Sequence, residues 1–441
     1  MSRAGRILVI GAGPIGIEAA LRAVHLGYEV GVLDAGRVGE NLRSWGHVRM
    51  FTPWKMNCSP LGLRVLGDEG VRPAVERGTA PTGREYLTSY LLPLAASRLL
   101  RGLIQEHTRV VAVSRDGTVK EDLPGDRSRA LRPFRVLAER DGRPVVHAAD
   151  VLIDATGTWG QPRPLGCGGI AAPGETEAAP FIDRGIPDFA SPRAAARFAG
   201  RSILLLGAGH SAATSAVALA GLAARYPRTR VVWSFRATRQ PLYARLPDDS
   251  LPGRAALCAG ANRLVAGRDP RIRPLPGSVV ESIVVKRRRE GARLEVALRA
   301  GGRWRQEVVD RIIANVGSTP DSSIHSELQV HLCYATCGPI KLAAALLGKI
   351  GDCLERIAPS ADLLSHPEPG FYILGSKSYG RNPTFLLRAG FEQVGAVFAR
   401  LAGRNRLERE PVPPPRRRHA SPGQPYTTRS RGRVPFAGAR A

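Results

Sequence analysis

Two short stretches have the residue types and spacing for one piece of chemistry, the holding of a pyrophosphate. The first is GAGPIG, Gly11 to Gly16, preceded by the apolar run RILVI and followed by a helix-length apolar run. Gly11 permits a tight turn, Gly13 lets the backbone approach a phosphate, and Gly16 lets the helix pack closely on the strand. The helix N-terminus, with Pro14 in its first turn, then turns its unpaired N–H groups to the phosphates. Eighteen residues after Gly16 comes Asp34, at the end of VGVLD, where a carboxylate can accept hydrogen bonds from both hydroxyls of an adenosine ribose. The second stretch is GAGHSA, with Gly207, Gly209, Ser211 and Ala212 in the matching places and alanine for the third glycine. The strand after it ends in WSFRATR, with no acid: Ser234, Arg236 and Arg239 stand where Asp34 stands in the first unit. An acid repels a 2′-phosphate and an arginine fork pairs with it, so this loop favours NADPH over NADH.

The elements that must position these loops occur twice. Strand, glycine loop, helix and second strand are followed in the first half by RVVAVSRDG and FRVLAERDGRPVVHA, and in the second by SVVESIVVKRRREGARLEVALRAGGRWRQ. Both patterns predict a β-meander. Each half then closes on a matching run, Asp150 to Gly157 and Asp310 to Gly317, which is the clearest sign of repetition. The expected fold class is α/β, with two Rossmann-like dinucleotide-binding domains, each carrying a meander. Expected boundaries are 1–160 and 317–404 for the two parts of the first domain and 161–316 for the second. Residues 405–441, rich in Pro, Arg, Gly and Ser, are expected to be a disordered basic tail.

Composition narrows the function. The 441 residues are 43% hydrophobic, enough for two or three domains with real cores. No stretch reads as a membrane span, and the apolar N-terminal run is interrupted by Glu18 with no cleavage site close behind, so the expected location is the cytoplasm. The formal charge of +26 comes from 58 Arg against 6 Lys, scattered along the chain except for seven Arg after Glu410. No nucleic-acid motif accompanies it, so a small-molecule substrate is expected rather than nucleic acid, and a homodimer stays open. The six cysteines, Cys58, Cys167, Cys258, Cys333, Cys337 and Cys353, contain no CxxC pair. Cys333 and Cys337 are read as packing residues, and His331 with them lacks a fourth ligand, so no metal is expected. His47 and His210 are read first as packing residues, and no catalytic residue is assigned.

Over residues 5 to about 403 the pattern resembles the flavoproteins with two dinucleotide-binding domains, the second inserted into the first. That resemblance implies FAD on the first loop and NADPH on the second. Ala155-Thr156-Gly157 is similar to the point where such chains pass into the inserted domain, and Gly317 to Asp321 to the return crossing. The run from Trp45 to Pro53, Phe198-x-Gly200-Arg201 before the second loop, and the strand ending at Gly375 look most like bacterial flavin-containing monooxygenases. The resemblance adds Trp45, Thr156, Gly157 and Gly375 to the cofactor-binding set. It implies oxygenation of a nitrogen or sulfur centre through a flavin C4a-(hydro)peroxide. The chain departs from family patterns at Pro53, where some members have Asn, and at Gly375-Ser376, where the reductases have Gly-Asp; the Baeyer–Villiger fingerprint is absent. An NADPH-dependent flavin reductase or dehydrogenase with another acceptor, and a non-catalytic flavin-binding redox sensor, are the alternatives. Lys377, Arg381 and Asn382 in GSKSYGRN are left between cofactor or substrate contact and capping of the next helix.

Overall fold

The computed structural model describes residues 5–72, 78–288, 291–347, 354 and 359–403. The expected tail, 405–441, and Cys353 lie outside the described residues. In the first unit, β1 (Arg6–Ile10) runs into a helix (Pro14–His25) and β2 (Glu29–Leu33). After β3 (Ile104–Gln105) come β4 (Thr108–Arg115), β5 (Phe134–Arg140) and β6 (Arg143–Ala149), a three-stranded antiparallel meander, and then β7 (Val151–Asp154). The second unit contains β8 (Ile182–Asp183), β9 (Ser202–Leu206), a helix (His210–Arg225), β10 (Arg230–Phe235), a helix (Pro252–Val265) and β11 (Ile272–Pro276). Its meander is β12 (Ser278–Arg288), β13 (Gly291–Ala300) and β14 (Arg303–Val309), followed by β15 (Arg311–Ala314). The chain then returns to the first unit with β16 (Phe371–Ile373) and a helix (Leu387–Leu401).

The two parallel sheets have one plan. Their orders are β16-β7-β1-β2-β3 and β8-β15-β9-β10-β11. The strand beside β7 comes from the chain returning after the second unit, and the strand beside β15 from the chain entering it. The second unit is therefore inserted into the first. The repetition extends to single bonds. Asp150 takes the N–H of Arg6 at 2.7 Å and Asp310 takes that of Ser202 at 2.7 Å, each carboxylate fixing the start of the central strand. Both meanders also carry a β-bulge in their first strand, at Val110/Ala112 and Val280/Ser282.

Alternation along the central strands builds three layers. Ile7 and Val9 face the helices, packing with Ile17, Leu21 and Val397, while Leu8 and Ile10 face the meander residues Val113, Phe134 and Val136. In the second unit Ile203 and Leu205 pack on the helix side and Leu204 and Leu206 on Val296 and Leu298. A one-residue slip would exchange these faces, so the apolar pattern sets the register.

The acid that interrupts the N-terminal apolar run is buried. Glu18 is 2% exposed. It accepts a 2.5 Å bond from the Ser59 hydroxyl and lies 3.5 Å from Arg22. Ser59 in turn caps the helix Pro60–Asp68. Burial pushes the Glu18 carboxyl up to about 7, against the Ser59 bond and the Arg22 charge. The folded state therefore binds this proton more tightly than the unfolded chain, and its contribution declines as pH rises from the ordinary value of 4.5 to about 7. Glu18→Gln should remove that decline. Relative to the parent, the variant should gain up to about 3 kcal/mol between about pH 5 and about pH 8 in urea unfolding. An unchanged difference at the two pH values would refute the protonated assignment.

Candidate functional site

The first glycine loop stands at the C-terminal ends of β1, β7 and β16. A side chain built on Gly16 would meet the carbonyl oxygen of Gly11 at 1.8 Å, whereas one built on Gly13 meets nothing within 4 Å. Gly16 is thus closed by the protein, and Gly13 opens outward as a cradle that a Cβ would fill. The helix begins at Pro14 with no side-chain cap, which leaves its first N–H groups to a ligand. Asp34 sits at the end of β2, its carboxylate oxygens accepting the N–H groups of Ala12 at 2.6 Å and Gly36 at 2.8 Å. Burial raises its pKa against those two bonds. Each oxygen keeps a second lone pair for a ribose hydroxyl.

Other residues of the expected first set converge on the same edge. Thr156 bonds the Asp154 carboxylate through its N–H at 3.1 Å and its hydroxyl at 2.8 Å. Gly157 lies beside the Ser376 hydroxyl, and the Gly375 N–H donates to Gln393 at 2.8 Å. Trp45 stacks on Trp159, with ring centroids 6.1 Å apart. Trp45 Nε1 and His47 Nε2, two residues apart, are buried with no hydrogen-bond partner among the described residues. Two orphaned buried polar atoms in this segment fit a polar ligand there.

Two polar residues of GSKSYGRN have protein partners. Asn382 caps the turn, accepting the N–H of Thr384 at 3.0 Å and its hydroxyl at 2.8 Å. Lys377 is 2% exposed, and its ammonium group donates to Asp154 at 2.6 Å and to Thr156 at 3.0 Å. Sequence reasoning did not pair Lys377 with Asp154. The available signal was compositional: Lys377 is one of only 6 lysines beside 58 arginines.

The second loop repeats the geometry with altered chemistry. Gly209 precedes the helix His210–Arg225, and a Cβ on it would meet nothing within 4 Å. Ala212 is fully buried, and Ser211 lies in the first helical turn. Register corrects one expectation. Leu206 pairs with Ser234 as Ile10 pairs with Leu33, so Phe235 occupies the place of Asp34. The Ser234 hydroxyl is buried against that of Ser278 at 2.6 Å, because a side chain at that phase points toward the meander rather than to the strand end. Arg236 follows at once and is exposed; Arg239 is exposed too, its Nε donating to the carbonyl of Leu242 at 3.0 Å. Arg163, at the crossing between the units, has its pKa lowered by burial and then by the charges of Arg381 and Arg236.

Between the units lies a cleft of about 590 Å³, within the usual range for small-molecule pockets. Met50 and Phe51 line it from the first unit, and Phe189, Ala218, Leu251 and Leu257 from the second. His47 also lines it. The edge of Phe51 meets His210, ring centroids 5.3 Å apart, and His210 meets Tyr243 at 6.1 Å. Burial and then the Arg254 charge depress the His210 pKa, so its imidazole is neutral at pH 7. Among the described residues no three His, Cys, Asp or Glu side chains are grouped to hold a metal. Among them, too, no helix is long and apolar enough to cross a membrane.

A family model described as pyridine nucleotide-disulphide oxidoreductase matches residues 8–121. No curated protein matches the chain. Among solved structures, the bacillithiol disulfide reductase of Bacillus cereus is similar at 18% identity, covering 91% of this chain and 99% of that one, with a TM-score of 0.64. The ornithine N-hydroxylase of Kutzneria sp. 744 is similar at 14% identity, with 91% and 99% coverage and a TM-score of 0.56. The thioredoxin reductase of T. acidophilum is similar at 15% identity, with 91% and 100% coverage and a TM-score of 0.54. Together with the duplicated sheets and cradles, these likenesses establish that the chain has the fold of the flavoproteins with two dinucleotide-binding domains.

Proposed function

We propose that the chain is an FAD-dependent, NADPH-using oxidoreductase of the cytoplasm, and specifically a monooxygenase acting on a nitrogen or sulfur centre of a small molecule. The observation that carries this reading is the apolar cleft between the two cradle-bearing units. Oxygen transfer needs a reaction space from which water is kept out, and Met50, Phe51, Phe189 and Leu251 furnish apolar walls for one. When bound, NADPH supplies hydride and FAD the redox and oxygen chemistry. The chain's part is to bind and orient. The Gly13 cradle and the helix behind it take the pyrophosphate of FAD, and Asp34 takes its ribose hydroxyls. The Gly209 cradle takes that of NADPH, with Arg236 beside the 2′-phosphate and Arg239 near it. Lys377 holds Asp154 and Thr156 in place beneath the first cradle. The Kutzneria protein, whose structure contains reduced FAD, NADP+ and L-ornithine, has the same fold.

The second reading is a reductase that passes electrons to another acceptor. The family match over residues 8–121 and the likeness to the bacillithiol disulfide reductase favour it. An oxygen pulse after anaerobic reduction by NADPH separates the two. A monooxygenase should show an absorbing species that persists before the oxidised spectrum returns. Immediate reoxidation, with hydrogen peroxide equal to the NADPH consumed, would reject oxygenation.

Two substitutions test the cofactor sites. Gly13→Val places a side chain where the pyrophosphate belongs, so the folded variant should purify colourless; normal FAD content would move the flavin elsewhere. Arg236→Ala should weaken NADPH by roughly tenfold to a hundredfold, from the loss of a charge-assisted pair of about 1.5–3 kcal/mol. NADH binding should barely change. Equal losses for both would remove Arg236 from the 2′-phosphate.

A further inference from the structure

The cleft between the units is apolar over most of its wall, yet it carries a carboxylate that has no cation among the described residues. Histidine aside, its lining includes two charged side chains, Arg49 from the first unit and Asp188 from the second. The Arg49 guanidinium is engaged: it donates to the Ala80 carbonyl and lies 3.6 Å from Glu85. Behind Leu251, Asp249 and Arg254 pair at 2.6 Å, both side chains buried. Asp188 differs. It is half-buried, and among the described residues it forms no ion pair. Asp183, just before it on the chain, pairs with Arg197 at 2.8 Å. In a chain with 58 Arg, an acid facing an apolar cleft without one is informative.

The backbone fixes this carboxylate in place. Asp188 Oδ1 accepts the Ala190 N–H at 3.2 Å, and the Asp188 carbonyl accepts the Ser191 N–H at 2.9 Å. This turn stands just before the helix Pro192–Phe198. It uses one carboxylate oxygen and leaves Oδ2 to a ligand. The segment also sits at the ligand edge of the second sheet, because the Gly185 carbonyl accepts Asn315, just after β15, at 2.8 Å. Thr214 and Ala218, on the helix that begins behind the Gly209 cradle, line the same cleft. From the first unit His47 lines it, its Nε2 buried with no partner among the described residues. A carboxylate beside apolar walls is costly to desolvate, and a hydrogen-bonding cation offsets that cost.

We propose that the cleft takes a cation with an apolar body. The ammonium or guanidinium group of the ligand pairs with Asp188 Oδ2, and its apolar part lies on Phe51, Phe189 and Leu251. Calling this ligand the substrate rests on the oxygenation reading and narrows it. A protonated nitrogen has no lone pair to offer an oxygen donor. The nitrogen or sulfur centre that takes up oxygen is therefore a second, neutral one, carried on the apolar part away from Asp188. Asp188 is then a specificity-determining residue: its charge selects the substrate and takes no part in the oxygen transfer. His47 Nε2 offers a hydrogen bond from the facing unit.

The test uses the full chain with its cofactor as purified, titrated by calorimetry without NADPH. The probe is S-benzylcysteamine, which joins an ammonium group and a neutral thioether to an aromatic body. It is compared with the analogues that carry a hydroxyl or a carboxylate in place of the amine. At neutral pH and low salt the amine should bind roughly tenfold more tightly than the alcohol, the scale of one charge-assisted bond, and the acid should bind most weakly. Asp188→Asn keeps the oxygen that accepts the Ala190 N–H. It should bring the amine to the level of the alcohol and leave the alcohol unchanged. Leu257→Trp, which fills the cleft, should weaken both alike; binding untouched by it would lie elsewhere and sink the proposal. Three other results would overturn it: no amine binding at millimolar concentration, equal affinities of amine and alcohol in the parent, or an Asp188→Asn variant that loses both equally or neither. Flavin content and circular dichroism check that each variant is folded. Sulfoxide formation from the amine with NADPH and oxygen reports separately on the oxygenation reading. Hydrogen peroxide alone, with amine binding still dependent on Asp188, would reject oxygenation and leave the cation site standing.

Discussion

Strand β16 is three residues long, yet the first unit is complete only when it lies beside β7. Three parallel pairings are a weak basis for reuniting two stretches of chain separated by an entire domain. Buried ion pairs on either side of the strand supply the rest. Just before it, Glu368 accepts Arg115 Nε at 2.7 Å and Arg129 at 2.9 Å, with all three side chains fully buried. Arg115 also lies 3.6 Å over the ring of Phe134 in the meander. Just after it, Lys377 meets Asp154. Burial alone would raise the Glu368 pKa, but the arginine bonds and the Gln329 N–H reverse this and hold it below the ordinary range. Such pairs add little net stability against an apolar core, but breaking one by removing a single partner costs several kcal/mol. A slip of β16 along β7 would break both at once, so their effect is on register.

The same constraint ties the fold to the site. Asp154 is the last residue of β7, and its carboxylate receives Thr156 on one oxygen and Lys377 on the other. The crossing Ala155-Thr156-Gly157 and the returning segment at Gly375 are thus positioned by one carboxylate. Both border the open cradle of Gly13. In the second unit Asn315, the residue just after β15, does related work without charge. It accepts the Ser215 hydroxyl at 2.6 Å and donates to the Gly185 carbonyl at 2.8 Å.

What was legible in the sequence was local and periodic. The glycine loops, the alternation of the central strands and the two aspartates opening β7 and β15 all act through neighbours a few residues away or through a repeat. Each left a pattern that one chain can display. Lys377, Glu368 and the bond of Glu18 to Ser59 were not legible, because those partners lie at separations that no spacing rule covers. The misplacement of Ser234 has another cause. Strand ends are set by hydrogen bonds to the adjoining strands, so an aligned glycine loop does not fix the phase of the strand that follows.

Charge in this protein is informative only after pairing is counted. A net of +26 is spread over the whole chain and identifies no site by itself. Folding pairs many of those cations: Arg254 with Asp249, Arg184 with Glu175 and Arg299 with Glu281 all lie within 2.7 Å. Among the rest, Arg163 is half-buried, its pKa lowered by burial and then by the charges of the exposed Arg381 and Arg236. These three come from the crossing, from the segment after β16 and from the end of β10. An anion beside Arg163 would relieve repulsion between the units as well as within them.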